Sequence, residues 1–170
     1  MIEAIDVRDL VTQPGASKQH VVRAPLDDLG TELARVRDDV PVRADLLLEA
    51  LVEGILVSGT VRGELVLRCA RCLTEFDQPL SVEVHEMFVV EPDPEADDYP
   101  LDPEGMLELD QMVRDVIGVE LPFSPLCRSD CQGLCPTCGA DRNQGGCPGH
   151  VEVDPRWAAL GQLTSMFDEN

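Results

Sequence analysis

Apolar and polar residues alternate along most of residues 42–90, as they do in strands that bury one face. The alternation restarts after a turn at Glu53-Gly54 and again after a short cysteine-containing segment at 69–73. The residues predicted to face the core are Ala44, Leu46, Leu48, Ala50, Val61, Leu65, Leu67, Leu80, Val82, Val84, Phe88 and Val90. Three such strands with one covered face suffice for a stable antiparallel sheet, so this region predicts a β-meander.

Shorter patterns flank the meander on both sides. They predict strands at 5–11 and 20–23, and helices at 29–36, at 109–121 and from 155 onward. The helix at 109–121 has apolar residues at helical spacing, and Pro122 ends it. The last helix has Asp154 as its predicted N-cap and Pro155 at its first position. We expect the apolar face of that last helix to pack back on the body.

The charge of the chain changes the picture of its partners. Thirty-three acidic residues face thirteen Lys and Arg, which gives a formal net charge of −20. Residues 91–110 contain nine acids, four prolines and no base, so we expect a solvated loop or linker there. Such a surface repels bare nucleic acid and suits a basic protein partner better. The simpler alternative is that the acidity only keeps the chain soluble.

Seven cysteines are present, and five of them fall between positions 127 and 147. The first twenty residues lack the basic start and apolar run of a signal peptide, and no apolar stretch is long enough to span a membrane. We therefore expect a cytoplasmic protein without a membrane contact, in which thiols stay reduced. Reduced thiols at this density predict a structural Zn²⁺ site.

The spacing of the cysteines leaves several ligand sets open. The simplest set is a single four-thiolate site made of Cys127, Cys131, Cys135 and Cys138. A second set keeps the knuckle at 135–138 and replaces one upstream cysteine with Cys147 or His150. A third pairs the knuckle with Cys69 and Cys72, as in a split zinc ribbon. Four thiolates leave no open position for water, so any of the all-cysteine sets predicts a structural metal.

The segment Cys69-Ala70-Arg71-Cys72 lies at the predicted tip of a hairpin. It allows three interpretations: a metal half-site, a redox pair, or a solvated turn. Redox pairs of this spacing normally open a helix, where the helix dipole lowers the thiol pKa, and that context is missing here. Arg68 and Arg71 make the tip locally basic. The candidate contact for RNA or for a carboxylate is therefore Arg68, Cys69, Arg71 and Cys72.

Together these elements predict an α+β fold, an antiparallel β-meander or partly open barrel with a few helices and a small C-terminal zinc-knuckle module. The expected parts are a mainly antiparallel β domain with a short helix at 1–90, an acidic Pro-rich linker at 91–108, and a C-terminal part at 109–170. The last part holds a helix, the cysteine-rich module at about 123–150, and the final helix.

Three motifs in this order resemble the YceD family, bacterial proteins linked to accumulation of large-subunit ribosomal RNA, with plastid relatives. They are CARCL at 69–73, GLCPTCG at 133–139 and DPRWAAL at 154–160, and the resemblance covers nearly the whole chain. Many members carry Cys-x-Cys near the end of the module, where this chain has Cys147-Pro148-Gly149-His150.

The resemblance implies a non-enzymatic factor in assembly of the large ribosomal subunit or in accumulation or processing of its rRNA, with no established catalytic residue. Since the chain is so acidic, we expect it to contact a large-subunit precursor through a basic ribosomal protein, with rRNA contacted indirectly and no small-molecule substrate. The alternatives are a thiol oxidoreductase using Cys69 and Cys72, an rRNA-processing enzyme, and a zinc-ribbon adaptor for transcription.

Overall fold

Strands dominate the computed structural model, which describes residues 2–93, 98–147 and 149–150. In chain order the elements are β1 (Ile5–Asp6), α1 (Arg8–Val11), β2 (Ser17–Ala24), β3 (Ala34–Val36), β4 (Val42–Ala50), β5 (Gly54–Arg68), β6 (Glu75–Val89), β7 (Tyr99–Pro100), β8 (Met106–Leu107), α2 (Asp110–Glu120) and a short 3₁₀ turn (Arg142–Gln144). β4, β5 and β6 pair antiparallel in unbroken register, with Val61 between Ala44 and Val82. The predicted meander is therefore confirmed.

The other strands widen this meander into an open sheet. Its order is β2-β4-β5-β6-β7, and β3 pairs with β5 beside that path. β1 and β8 form a separate two-stranded sheet. The α+β prediction is confirmed, and the sheets are open and do not close into a barrel. Within the described part of the chain, no helix is long and apolar enough to cross a membrane.

One apolar core lies on the inner face of the sheet. Along β4 every second side chain is buried, from Val42 through Leu46 to Ala50, as the alternation predicts. Val90 is the exception among the predicted core residues, since it follows the end of β6 and is about half exposed. α2 contacts β6 and buries Met112, Val113 and Ile117 of its predicted apolar stripe, whereas Val116 is partly buried. Burial of this apolar area is what stabilises the body.

Two predictions for the N-terminal forty residues are wrong. The predicted strand at 5–11 ends at Asp6, whose carboxylate accepts a hydrogen bond from the Arg8 backbone N–H at 3.1 Å and so favours the helical turn of α1. The predicted helix at 29–36 is replaced by β3. There the Thr31 hydroxyl accepts from the Ala34 N–H at 3.1 Å, which holds a turn rather than a helix.

The acidic segment 91–108 contributes more to the fold than its composition indicates. Leu101 and Leu107 are buried in the core, and β7 and β8 pair with β6 and β1. The few apolar residues between the acids are thus used as anchors, so the segment is not only a solvated linker. The helix predicted from Pro155 lies outside the described residues.

Candidate metal centres

The tip of the β5–β6 hairpin holds the first pair of cysteines. The Cys69 N–H donates to the Thr74 carbonyl at 2.9 Å, and the Leu73 N–H donates to the Cys69 carbonyl at 2.9 Å. Leu73 has a left-handed backbone with φ of 61°, which is uncommon for a residue with a branched side chain and marks a tight turn. This turn holds Cys69 and Cys72 next to each other, and both are buried.

The segment after α2 brings a second pair of cysteines to the same tip. The Pro125 carbonyl accepts from the Ala70 N–H at 2.8 Å, so the chain runs directly against the turn. The Arg71 guanidinium donates to the Cys131 carbonyl at 2.8 Å, and the Arg71 carbonyl accepts from the Leu134 N–H at 2.9 Å. These bonds fix the position of the segment that carries Cys127 and Cys131.

The four sulfurs of these pairs form the first group, Cys69, Cys72, Cys127 and Cys131, and all lie within 4.8 Å of one another. The Sγ–Sγ distances are 3.8 Å between Cys69 and Cys131 and 3.6 Å between Cys72 and Cys127. A tetrahedron with Zn–S bonds of about 2.3 Å has edges of about 3.8 Å, whereas a disulfide is about 2.05 Å long. All the cysteines are free thiols, so the first group has the size of a four-thiolate metal cage.

The electrostatics of the first group fit sulfurs that share one small volume. Burial by itself would raise the pKa of the Cys69 thiol. Three backbone N–H groups, those of Cys127, Cys72 and Arg71, outweigh that effect and lower the pKa to about 6. Loss of water around the sulfur, followed by the neighbouring thiols, raises the pKa of Cys127 to about 12. When some thiols ionise, repulsion keeps the others protonated, and a divalent cation at the centre would remove that repulsion.

The knuckle sequence CPTCG forms one half of a second group. The Cys135 N–H donates to the Ala140 carbonyl, and the Gly139 N–H donates back to the Cys135 carbonyl, each at 2.8 Å. Backbone N–H groups of Cys138 and Thr137 lower the pKa of the Cys135 thiol to about 6. Gly139 has φ of 70°, the left-handed conformation that glycine adopts without steric cost, and it closes this turn through its bond to the Cys135 carbonyl.

The other half of the second group comes from residues 147 and 150. The members are Cys135, Cys138, Cys147 and His150, and their donor atoms lie within 4.8 Å of one another. Cys138 and Cys147 are 3.9 Å apart at Sγ. Both the first and the second group have donors that could hold a metal ion.

The predicted ligand set is divided between the two groups. Cys127 and Cys131 join the hairpin cysteines, whereas Cys135 and Cys138 join Cys147 and His150. The single four-cysteine site at 127–138 and the split ribbon are therefore not formed as units in the structure. The reason is that the β5–β6 hairpin supplies two sulfurs from far along the chain, which short spacing does not reveal.

The two arginines of the predicted contact are engaged within the chain. The Arg68 guanidinium lies 3.1 Å from a Glu75 carboxylate oxygen, and Arg71 donates to the Cys131 carbonyl. Arg71 is exposed, and its bond fixes the Cys131 backbone against the hairpin tip. We missed that role because arginine next to cysteines indicated an outward contact.

Asn143 is a further residue that the spacing did not indicate. Its Oδ1 accepts from the Gln132 N–H at 2.8 Å, and its Nδ2 lies 3.5 Å from the Cys131 sulfur. The same Nδ2 donates to the Asp141 carboxylate at 2.7 Å, beside the knuckle. Asn143 therefore connects the two groups, in the manner of outer-shell partners that orient metal ligands.

Comparisons with known proteins agree with the motifs. The family model described as Large ribosomal RNA subunit accumulation protein YceD matches residues 57–164. An uncharacterized protein of Mycobacterium tuberculosis is 36% identical over 167 residues, covering 94% of this chain and 80% of the relative. The YlbN protein of Bacillus subtilis is 27% identical over 155 residues, covering 82% and 86%.

A plant relative is similar over a shorter stretch. The chloroplastic Large ribosomal RNA subunit accumulation protein YCED homolog 1 of Arabidopsis thaliana is 30% identical over 64 residues, covering 37% of this chain and 20% of that protein. No solved structure matches the chain. Because the family model spans more than half of the chain, and a bacterial relative matches nearly all of it, this protein belongs to the YceD family.

Proposed function

We propose that this chain is a non-enzymatic factor that supports accumulation of large-subunit ribosomal RNA, and that it acts by contact with a precursor of that subunit. The observation that carries the proposal is the family match over residues 57–164, which includes the hairpin tip and the knuckle. The zinc site and the kind of partner are the finer parts of the proposal, and each rests on separate features of the structure.

A structural zinc ion is assigned to the first group. Its four thiols match the donor type, and their separations match the edges of a tetrahedral zinc site. Four thiolates fill the coordination sphere, so the ion would hold the segment after α2 against the hairpin tip and would leave no position for an activated water. The ion's contribution is thus to folding of the module.

A basic segment of a ribosomal protein is the proposed partner, and an acidic groove between β6 and α2 supports it. The groove is lined by Val82, Glu83, Glu86, Tyr99, Asp115, Val116, Val119 and Glu120, which include four acids and no base. Val119 is 81% exposed at its rim. Apolar surface ringed by carboxylates suits a Lys- or Arg-rich segment with apolar residues of its own.

Glu120 adds to this argument because its place is unfavourable for the helix. It is the last residue of α2, where the helix dipole favours a cation, and the last turn has no base. A carboxylate at a position that the helix dipole disfavours is consistent with a role in binding a partner. Replacing Glu120 with lysine would remove this unfavourable interaction with the helix dipole. Loss of partner binding in that variant would therefore not be explained by unfolding.

Direct RNA contact by the hairpin tip is the weaker form of the proposal. Arg68 and Arg71 would have to give up their contacts with Glu75 and with the Cys131 carbonyl. The formal net charge of −20 also opposes approach of a phosphate backbone. We therefore propose that the chain affects rRNA accumulation through a protein contact and not by binding RNA directly.

A thiol oxidoreductase is disfavoured by the burial of the sulfur it would use. Cys69 has the lowered pKa of a reactive thiol, but it has no exposed surface. Thiol–disulfide exchange requires access of the second sulfur to the first. The lowered pKa is better explained by N–H groups that also suit a metal-bound thiolate.

The test of the proposal is affinity purification from cells that express the chain, with identification of bound RNA and protein. We expect enrichment of large-subunit precursors and of a basic ribosomal protein, and a fall in the ratio of large- to small-subunit rRNA when the chain is depleted. An unchanged rRNA ratio together with no ribosomal component in the purified material would contradict the function.

The acidic groove between β6 and α2 is tested by a separate double variant. The double change Glu83→Lys and Glu120→Lys should abolish capture of the ribosomal protein, because both exposed side chains line the groove. Glu32→Lys with Glu53→Lys, two exposed acids outside the groove, changes the net charge equally and should leave capture nearly intact. Equal loss in both pairs would mean that only net charge matters.

A further inference from the structure

The second group is left without a role when the first group holds the structural zinc. Its members follow the pattern Cys-x₂-Cys, then eight residues, then Cys-x₂-His. Zinc sites are built from two such short-spaced pairs. Unlike the first group, this one is local, since all of its ligands come from residues 135–150.

Backbone hydrogen bonds surround the second group. Leu134 and Asp141 form an isolated antiparallel bridge, and the Arg142 N–H donates to the Gly133 carbonyl at 3.0 Å. Asp141 then accepts from the Asn143 N–H at 2.9 Å and starts the 3₁₀ turn that leads back toward Cys147. These hydrogen bonds place the knuckle beside the turn that leads to Cys147.

We propose that Cys135, Cys138, Cys147 and His150 bind a second zinc ion through three thiolates and one imidazole. Each of the three thiols loses its proton to solvent as its Zn–S bond forms. The neutral imidazole coordinates through the lone pair of a ring nitrogen, and no atom changes its oxidation state. The donor atoms lie within 4.8 Å of one another, and the Cys138–Cys147 separation of 3.9 Å is close to a tetrahedral edge of about 3.8 Å.

The second ion occupies a more accessible place than the first. In the second group only Cys135 is buried, whereas in the first group only Cys127 is exposed. A chelator reaches exposed ligands first, so the second ion should be removed first. The two zinc ions then form a structural and an exchangeable site within one module.

The test is native mass spectrometry and elemental analysis of the full chain, purified under reducing conditions. We expect two zinc ions in the parent, one per group, and one fewer after the double change Cys138→Ser and Cys147→Ser. Equal zinc content in parent and variant would overturn the proposal. So would a parent whose mass reports a disulfide in place of this zinc ion. A parent with one ion and a variant with none would support the second site and reject the first.

Substitution of His150 tests the second site more specifically, because another histidine outside both groups provides a matched control. His150→Ala should change the visible spectrum of the Co²⁺-substituted protein, because water would replace the imidazole nitrogen at the second site or the second ion would be lost. It should also weaken the exchangeable site by more than the 10–100-fold typical of losing an outer-shell partner. His85→Ala, an exposed strand residue outside both groups, should change neither. Identical spectra and chelator titrations for the two variants would remove His150 from the site.

Discussion

The sheet body and the cysteine module are held together by different means. The body buries a continuous apolar core that extends from β2 to α2. Between residues 122 and 150, as far as they are described, no Leu or Phe is buried, and the buried sulfurs of Cys131 and Cys135 take their place. Phe123 is 92% exposed. The module thus has hydrogen bonds and thiols but lacks an aliphatic core.

This difference indicates how stability is distributed. A sheet with a covered apolar face is stable without a metal, whereas a polar loop of some thirty residues buries too little apolar surface to offset its conformational entropy. We therefore expect the order of the module to depend on the proposed cross-linking ion. The variants below separate the two regions.

Removal of zinc is the change with the largest expected effect. Structural zinc contributes about 10–16 kcal/mol in zinc-finger peptides, so chelation should release the module. Backbone amides of Cys135 and Arg142 should lose protection from hydrogen exchange, since their bonds lie inside the module. So should the amide of Leu134, which donates to the Arg71 carbonyl at the hairpin tip. Amides of β5 should stay protected. Equal loss of protection in β5 would show that the two regions are one cooperative unit.

Truncation of the body core comes next. Phe88 is buried and stacks on Tyr99 with ring centroids 5.2 Å apart. Phe88→Ala should lower the free energy of unfolding of the sheet by about 3–5 kcal/mol, as measured by urea denaturation. Phe123→Ala, an exposed control in the module, should change it by less than about 0.5 kcal/mol. Zinc content should be the same in both variants.

The contact between the two regions is tested by a matched pair of glycines. Gly133 and Gly139 have φ of 72° and 70°, so alanine strains both equally. A Cβ on Gly133 would also lie 2.7 Å from the Arg71 carbonyl oxygen, whereas nothing lies within 4 Å of one on Gly139. Gly133→Ala should therefore cost about 1–3 kcal/mol and Gly139→Ala about 1 kcal/mol. Equal costs, or zinc lost only from the Gly139 variant, would contradict the docking geometry.

The smallest effect concerns the N-terminus of the body. Asp110 begins α2, accepts from the Ile2 N–H at 2.7 Å, and pairs with Arg114. Burial opposes ionisation of Asp110, but these two partners prevail and lower its pKa. The stabilisation is therefore full above the ordinary Asp pKa of about 3.9 and is lost as pH falls through the lowered folded-state value. Asp110→Asn should cost about 1 kcal/mol at pH 7 and less below pH 4, as measured by thermal unfolding.

The sequence predicted the central sheet and α2 because their apolar periodicity is long and regular. Alternation over 42–90 and the stripe ending at Ile117 both correspond to buried faces. Short segments were less reliable, since local hydrogen bonds of Asp6 and Thr31 overrode weak patterns. The burial of Leu101 was not predicted, because the acids on both sides of it in the sequence indicated a solvated segment.

The sequence indicated the chemistry of the candidate site but not its grouping. Cysteine density indicates a metal, and Cys135 and Cys138 lie together in one turn and one group. The partition into two groups depends on which loop the β5–β6 hairpin tip touches, a tertiary contact that spacing does not encode. Asn143 and Arg71 contribute through contacts that are likewise visible only after folding.

The first group joins Cys69 to Cys131 and Cys72 to Cys127, pairs separated by 62 and 55 positions. A ribosome adds about 5–20 residues per second, so the hairpin cysteines are made several seconds before their partners. During that interval the nascent hairpin presents a two-sulfur half-site. The meeting of the four sulfurs is therefore a late event in biosynthesis. If the first group holds the proposed zinc ion, zinc shortage would leave chains with a complete sheet and four unligated sulfurs.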